Sequence, residues 1–136
     1  MKKILMLAVM ALVVGCTGKT PNLTNVTFPK KSNVKIDKKR IEEYTKKKLK
    51  DPDSALFEYP FDDLEKAYVG IFKKGALAYT YKANSKNSYG GYTGYSYWRA
   101  IYMTNLKTKE VMLLDVFPIS NRRDVYDIRI IEEPTK

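Results

Sequence analysis

Hydrophobic and polar positions change their spacing several times along this chain, and each change marks an element. Ile4 to Val14 is an apolar run that follows Met1-Lys2-Lys3. Thr17 to Ile36 mixes Thr, Asn and two prolines with isolated apolar residues and has no period, which reads as a linker. Helical spacing occurs once, over Asp37 to Lys50, where Ile41, Tyr44 and Leu49 form a narrow apolar stripe. Asp37 suits the N-cap, because its carboxylate can accept from an orphan helix N–H. Ile36 and Ile41 have the spacing of a hydrophobic staple. Lys46, Lys47, Lys48 and Lys50 crowd the end at which the helix dipole favours cations. Pro52 disfavours helix at Asp51, and Asp51-Pro52-Asp53-Ser54 reads as a tight turn.

Beyond that turn the period falls to two. Ala67 to Phe72 places Ala67, Val69 and Ile71 on one side, and Lys73-Lys74-Gly75 reads as a hairpin turn. Ala76 to Ala83 places Leu77, Tyr79 and Tyr81 on one face. Tyr95 to Thr104 and Val111 to Phe117 follow, joined by a polar turn at Asn105 to Glu110, and Val125 to Ile131 reads as a last strand. The expected fold is α+β: one N-terminal helix packed on an antiparallel β-meander of four to five strands.

The N-terminal run is too short to span a bilayer as a helix, which takes roughly 20 residues. A basic start, a short apolar core and a small residue before a cleavage point are the parts of a secretory signal. Val13-Val14-Gly15-Cys16 resembles the lipobox of bacterial lipoproteins. That resemblance implies cleavage after Gly15 and acylation of Cys16. An ordinary signal peptide with an incidental cysteine is the plainer alternative. The expected organisation is a lipoprotein signal peptide over 1–15, a lipidated flexible tether over 16–36 and a small domain over 37–136. A coil of twenty residues reaches roughly 22–27 Å. Thr17 follows the cysteine where an Asp would retain a lipoprotein at the inner membrane. The resemblance therefore implies the outer membrane, if the cell has two. Cys16 is the only cysteine, so its acylation leaves the domain with no disulfide and no thiolate chemistry.

The formal charge of +10 invites a nucleic-acid reading, but its distribution argues against one. Residues 16–50 carry eleven Lys or Arg against three acids, whereas residues 51–136 carry twelve of each sign. The excess sits beside the anchor, where it either attracts anionic head groups or simply solvates one face. Nucleic acid is not an expected partner. The expected partners are membrane lipid through acylated Cys16 and an envelope protein or cell-wall glycan.

The candidate for recognition is KANSKNSYGGYTGYSYW, Lys82 to Trp98. It sets tyrosines among glycines, with amides and cations nearby. Flat rings with a polar tip stack on sugar or peptide surfaces, and amides bond hydroxyls or backbone. The candidate binding residues are Asn84, Lys86, Asn87, Tyr89, Tyr92, Tyr95 and Arg99. The competing reading is a long hairpin connection whose tyrosines pack on the sheet edge. LKDPDSALF at Leu49 to Phe57 and ANSKNSYGGYTGY at Ala83 to Tyr95 together resemble a group of small bacterial and phage-borne proteins that share both segments. Many members carry Cys-Gly just before the second segment, where this chain has Thr80-Tyr81. The resemblance implies a shared small fold, often in envelope proteins, and no activity. It leaves the two segments as packing partners or as a joint site.

With no histidine, imidazole-based triads, acid–base pairs and zinc sites are excluded. Asp62, Asp63 and Glu65 cluster, as do Asp51 and Asp53, but neighbouring acids in sequence are more often turn residues than carboxyls opposed across a cleft. No catalytic residue, cofactor or metal is expected. The expected function is a non-catalytic, lipid-anchored envelope protein that binds another envelope component through the Tyr/Gly-rich loop. The alternatives are a phage- or plasmid-encoded exclusion lipoprotein that blocks a surface receptor, and a purely structural surface lipoprotein.

Overall fold

A computed structural model describes residues 23–120 and 126–131. Gly15, Cys16 and Val125, with the signal and lipidation they were expected to mark, lie outside the described residues. Among the described residues one α-helix, α1 (Lys38–Lys46), packs on one face of an antiparallel sheet. Six strands form that sheet: β1 (Leu56–Glu58), β2 (Glu65–Val69), β3 (Lys74–Asn84), β4 (Ser96–Thr104), β5 (Val111–Pro118) and β6 (Ile128–Ile131). Their order is β5-β4-β3-β2-β6, with β1 paired to the end of β3 that β2 leaves free. The expected meander is present as β2 to β5, but the strand count is six rather than four to five. β1 has three residues, too few to display a period.

The helix begins as its sequence predicts, with the Asp37 carboxylate accepting from the Arg40 amide at 3.2 Å. It ends at Lys46, four residues short of Lys50. There the bonding tightens, as Lys48 N–H donates to the Thr45 carbonyl at 2.9 Å and Leu49 N–H to the Lys46 carbonyl at 3.2 Å. This tightening turns Leu49 into the core and frees Lys48 to reach β5. The Lys48 ammonium donates to the Val116 carbonyl and stands 3.0 Å from the Asp115 carboxylate.

The β2–β3 turn also differs from its expected place. Gly70 and Ile71 donate to the carbonyls of Asp127 and Tyr126, so β6 and its approach hold this segment, and Ile71 is 56% exposed. Lys73 takes the positive φ of 53°, and Gly75 already lies within β3. Gly75 serves close approach rather than turning. A Cβ there would stand 2.4 Å from the Thr27 carbonyl oxygen and 2.8 Å from the Phe28 ring. Thr27 and Phe28 thus lie against the sheet. Farther along, Val34 and Ile36 pack on the core, and Lys31 pairs with Asp63 at 3.0 Å. The described part of the expected tether is therefore laid along the domain.

Both faces of the sheet are buried. Against α1 lie Leu77, Tyr79, Tyr81, Trp98 and Tyr102, with Ile41 wholly covered between them. On the opposite face Ala67, Ala76, Ala78, Val69 and Ile101 are covered, with Phe117, Tyr126 and Ile128 packed against them. Alanines at three neighbouring positions of that face, Ala67 on β2 and Ala76 and Ala78 on β3, leave room for aromatic rings, and Phe117 and Tyr126 meet at a tilt of 60° with ring centres 5.6 Å apart.

Tyr81 is fully buried, and its phenol has one polar neighbour of the right kind. Thr45 Oγ1 donates to the Ile41 carbonyl at 2.7 Å, which leaves its lone pairs to accept from Tyr81 Oη at 2.6 Å. Tyr59 Oη donates to the Glu42 carboxylate at 2.7 Å. Burial raises the pKa of Tyr59, Tyr79, Tyr81 and Tyr102, and Tyr102 is pushed up to about 12.

Tyr81→Phe is expected to cost about 1 kcal/mol and Thr45→Val about 1–3 kcal/mol, since the latter strands a buried hydroxyl. The double variant should cost less than the sum of the two in urea unfolding, because neither group is then left unpaired. The tyrosine shifts also fix a pH dependence. The folded state keeps phenolic protons that the unfolded chain loses above its ordinary value of 10.0. Stability is therefore full below that pH and falls as pH rises through the shifted range. An alkaline titration should show part of the phenolate absorbance appearing only together with loss of the far-ultraviolet dichroism.

Candidate functional site

The β3–β4 connection, residues 85–95, forms the candidate surface, and three local devices shape it. First, Asn87 organises a turn. Its side-chain oxygen accepts from Tyr89 N–H at 2.9 Å and Gly91 N–H at 3.2 Å, while Asn87 N–H donates to the Gly91 carbonyl at 2.8 Å. Second, Gly90 and Gly94 adopt φ of 81° and 97°, the left-handed region that side chains disfavour. Third, Asn84 Oδ1 accepts from Gly94 N–H at 3.1 Å and closes the base of the loop. Asn84 and Asn87 thus use their carbonyl oxygens on the loop itself. Their amide –NH2 groups take no part in these bonds.

Ser54 pins the loop to the rest of the domain. Its hydroxyl donates to the Asp51 carbonyl at 2.9 Å and accepts from Lys86 N–H at 2.9 Å. Its carbonyl accepts from Tyr92 Oη at 3.0 Å. Lys86 and Tyr92 pair as an isolated bridge, with the ammonium 5.6 Å from the ring centre. The Asp51–Ser54 turn and the glycine loop are therefore direct packing partners.

Asn87 to Tyr97 are all exposed. Tyr89 is 97% exposed, whereas Tyr92 and Tyr95 are about half exposed. The structure brings Asn84, Lys86, Asn87, Tyr89, Tyr92 and Tyr95 onto this one loop. Arg99 does not join them. Trp98 and Ala100 face α1, so Arg99, between them on β4, projects to the opposite face beside Ile101. Its buried Nε has no hydrogen-bond partner among the described residues. Trp98 is a core residue whose indole N–H donates to Ser96 Oγ at 3.2 Å.

A second exposed aromatic group joins Tyr97, from the stretch singled out in the sequence, to Phe61, which the sequence did not mark. Tyr97 lies 6.3 Å from Phe61 in ring centres, and the Lys82 ammonium lies 5.1 Å from the Tyr97 ring. Lys82 and Tyr97 are register partners, so strand alternation carried that half of the signal. Phe61 sits in an aperiodic stretch that gave none.

The acids do not oppose one another across a cleft: Asp51 and Asp53 belong to the turn that ends in Ser54, and Glu65 opens β2. The Asp63 carboxylate accepts from Leu64 N–H at 2.8 Å, and the hydrogen bond from Lys31 holds it below the ordinary carboxylate range. A loop that stands out from the domain in this way offers rings, amides and a cation to a large opposing surface. Small-molecule sites are instead concave and enclosing. No protein-family model, no curated protein and no solved structure matches the chain.

Ser54→Ala removes the acceptor for the Lys86 amide. Amide exchange at Lys86 should quicken about five-fold, equivalent to about 1 kcal/mol of local stability, while the global unfolding midpoint moves little. Hydrogen–deuterium exchange read residue by residue checks this.

Proposed function

We propose that this chain is an envelope lipoprotein, cleaved after Gly15, acylated at Cys16 and non-catalytic, whose domain binds another envelope component through the Tyr/Gly-rich loop. The observation that carries the reading is the placement of that loop. It is exposed, pinned by Ser54, and lies at the end of β3 away from the point where residues 23–29 meet the domain. An anchor on the N-terminal side thus leaves the loop pointing outward. The partner is a cell-wall glycan or an envelope protein, because an outstanding loop with exposed rings and amide donors suits an extended surface. The resemblance of residues 1–16 to a lipoprotein signal supports a partner outside the cytosol, in the outer membrane or facing it where two membranes exist. The family resemblance of the two loop segments points to the same kind of protein.

Tyr89→Ala with Tyr95→Ala removes the ring faces and leaves the Tyr92–Ser54 pin intact. The double variant should lose peptidoglycan pull-down, or the crosslinked envelope partner, by ten-fold or more, with unchanged circular dichroism. Undiminished capture of both would remove the loop from the proposal. In the same cells labelled palmitate should enter the wild type and not Cys16→Ser, and equal labelling would remove the anchor.

A further inference from the structure

The other end of the sheet carries a second feature, which the loop does not use. Two turns meet there, residues 70–73 and residues 105–110. Each pushes apolar side chains into solvent: Ile71 and Phe72 on the first, and Leu106, 64% exposed, on the second. Between them runs an apolar groove of about 390 Å³ lined by Phe72, Met103, Leu106, Met112 and Leu114. Neither turn is loosely held. Asn105 Oδ1 accepts from the amides of Lys107 and Thr108, and Asn105 N–H donates to the Glu110 carbonyl at 2.7 Å. Phe72 N–H donates to the Val69 carbonyl at 3.2 Å.

Lysines predominate around this patch. Lys73, Lys107 and Lys109 are exposed on the same two turns, with Glu110 the one acid there. Lys73 and Lys109 occupy positive φ, at 53° and 63°, where glycine or asparagine would be relaxed. Cations thus stand at both strained positions, next to exposed apolar residues.

The chain's own connectivity says what lies opposite. Asn25 to Pro29 line a groove with Lys73, Lys74, Gly75 and Leu106, so the N-terminal segment meets the domain at this end. Leu23 is one turn away, its carbonyl accepting from Val26 N–H at 3.2 Å. It lies seven positions beyond Cys16, a span of at most about 25 Å when fully extended and roughly 13–16 Å as a coil.

We propose that this end, built from Ile71, Phe72 and Leu106 and flanked by Lys73, Lys107 and Lys109, is a membrane-contact face that dips its apolar tips into the interface of an anionic bilayer. The inference rests on the reading that Cys16 is the lipid anchor. Apolar tips enter the head-group boundary, and cations beside them pair with anionic lipid. Among the described residues no helix is long and apolar enough to cross a membrane. The contact would fix the orientation of the domain as well as its distance from the membrane, and hold the Tyr/Gly loop at the far end.

The test uses the mature lipoprotein in vesicles of equal parts phosphatidylcholine and phosphatidylglycerol. An environment-sensitive fluorophore is placed at residue 106 (Leu106→Cys), at residue 39 on the helix (Lys39→Cys) or at residue 89 in the loop (Tyr89→Cys). The label at 106 should shift to the blue and be quenched several-fold by lipid-borne quenchers, and the other two should report water. Ile71→Ser with Phe72→Ser, or vesicles of phosphatidylcholine alone, should reduce that quenching at least three-fold. Water at 106 overturns the proposal, and so does an apolar signal at 39 in its place, which would lay the basic helix on the membrane. An apolar signal at 106 that needs protein concentration rather than vesicles overturns it in favour of a second copy in the groove. Mass spectrometry of the same samples reports acylation independently. If Cys16 proves unacylated, the anchor reading falls, and the label at 106 in a Cys16→Ser background decides the membrane face by the same criteria.

Discussion

A phenol with no access to water must find a hydrogen-bond partner inside the protein, and the position of α1 follows from how Tyr81 finds one. Its partner, Thr45, lies one helical turn beyond Ile41, and both are wholly buried. A nine-residue helix is too short to be stable alone, so packing has to hold it. Apolar contact can do that in several rotations and translations. The Tyr81–Thr45 bond admits one of them, because a slip by a single residue would leave the Tyr81 hydroxyl unpaired in the core, while Thr45 keeps its bond to the Ile41 carbonyl within the helix. Other polar ties agree with it from other parts of the fold. Tyr59, beyond β1, bonds Glu42, and Lys48 reaches the Val116 carbonyl on β5. The helix is thus registered against the sheet at its middle and at its end.

β3 makes this arrangement possible. It pairs with β1, β2 and β4, and it takes part in both cores. Its large residues, Leu77, Tyr79 and Tyr81, face the helix, and its small ones, Ala76 and Ala78, face the other way. The aromatic side receives a helix at the distance bulky side chains require. The alanine side receives the rings of Phe117 and Tyr126 close to the backbone. Size rather than polarity distinguishes the two faces, so an unbroken buried run extends from Gly75 to Tyr79.

That pattern explains what could be read in the sequence. The N-cap at Asp37, the turn at Pro52–Ser54 and the core of the meander were legible because capping chemistry, proline geometry and period-two alternation act locally. Of the second core, alternation already put Ala67 and Val69 on one side, but Ala76 and Ala78 were not legible, since alanine in a strand carries little hydrophobic signal. The shift of the β2–β3 turn was hidden for a similar reason. Gly75 looked like a turn glycine, yet the Thr27 carbonyl above it, nearly fifty residues earlier in sequence, is what requires it. The early end of α1 depends on where β5 presents the Val116 carbonyl, which is again a long-range fact. Composition located the Tyr/Gly loop correctly, while alternation along β4 separates Arg99 from it, given that Trp98 is a core residue.

The same strand also relates the two ends of the molecule. β3 begins at the turn that Thr27 and Phe28 cover and ends at the base of the Tyr/Gly loop. Eleven residues of extended chain span about 35 Å. One end is apolar and flanked by lysines, and the other offers tyrosines, glycines and amides. These chemistries suit different neighbours, and a continuous hydrogen-bonded strand holds them apart at fixed length. A loop on a flexible tether alone would sample all orientations toward a surface below it. If the proposed membrane contact seats the domain on its lysine-flanked end, the direction of β3 becomes the direction in which the loop is displayed. On the proposed function, the rigidity of the sheet then matters as much as the tyrosines for which partner is met.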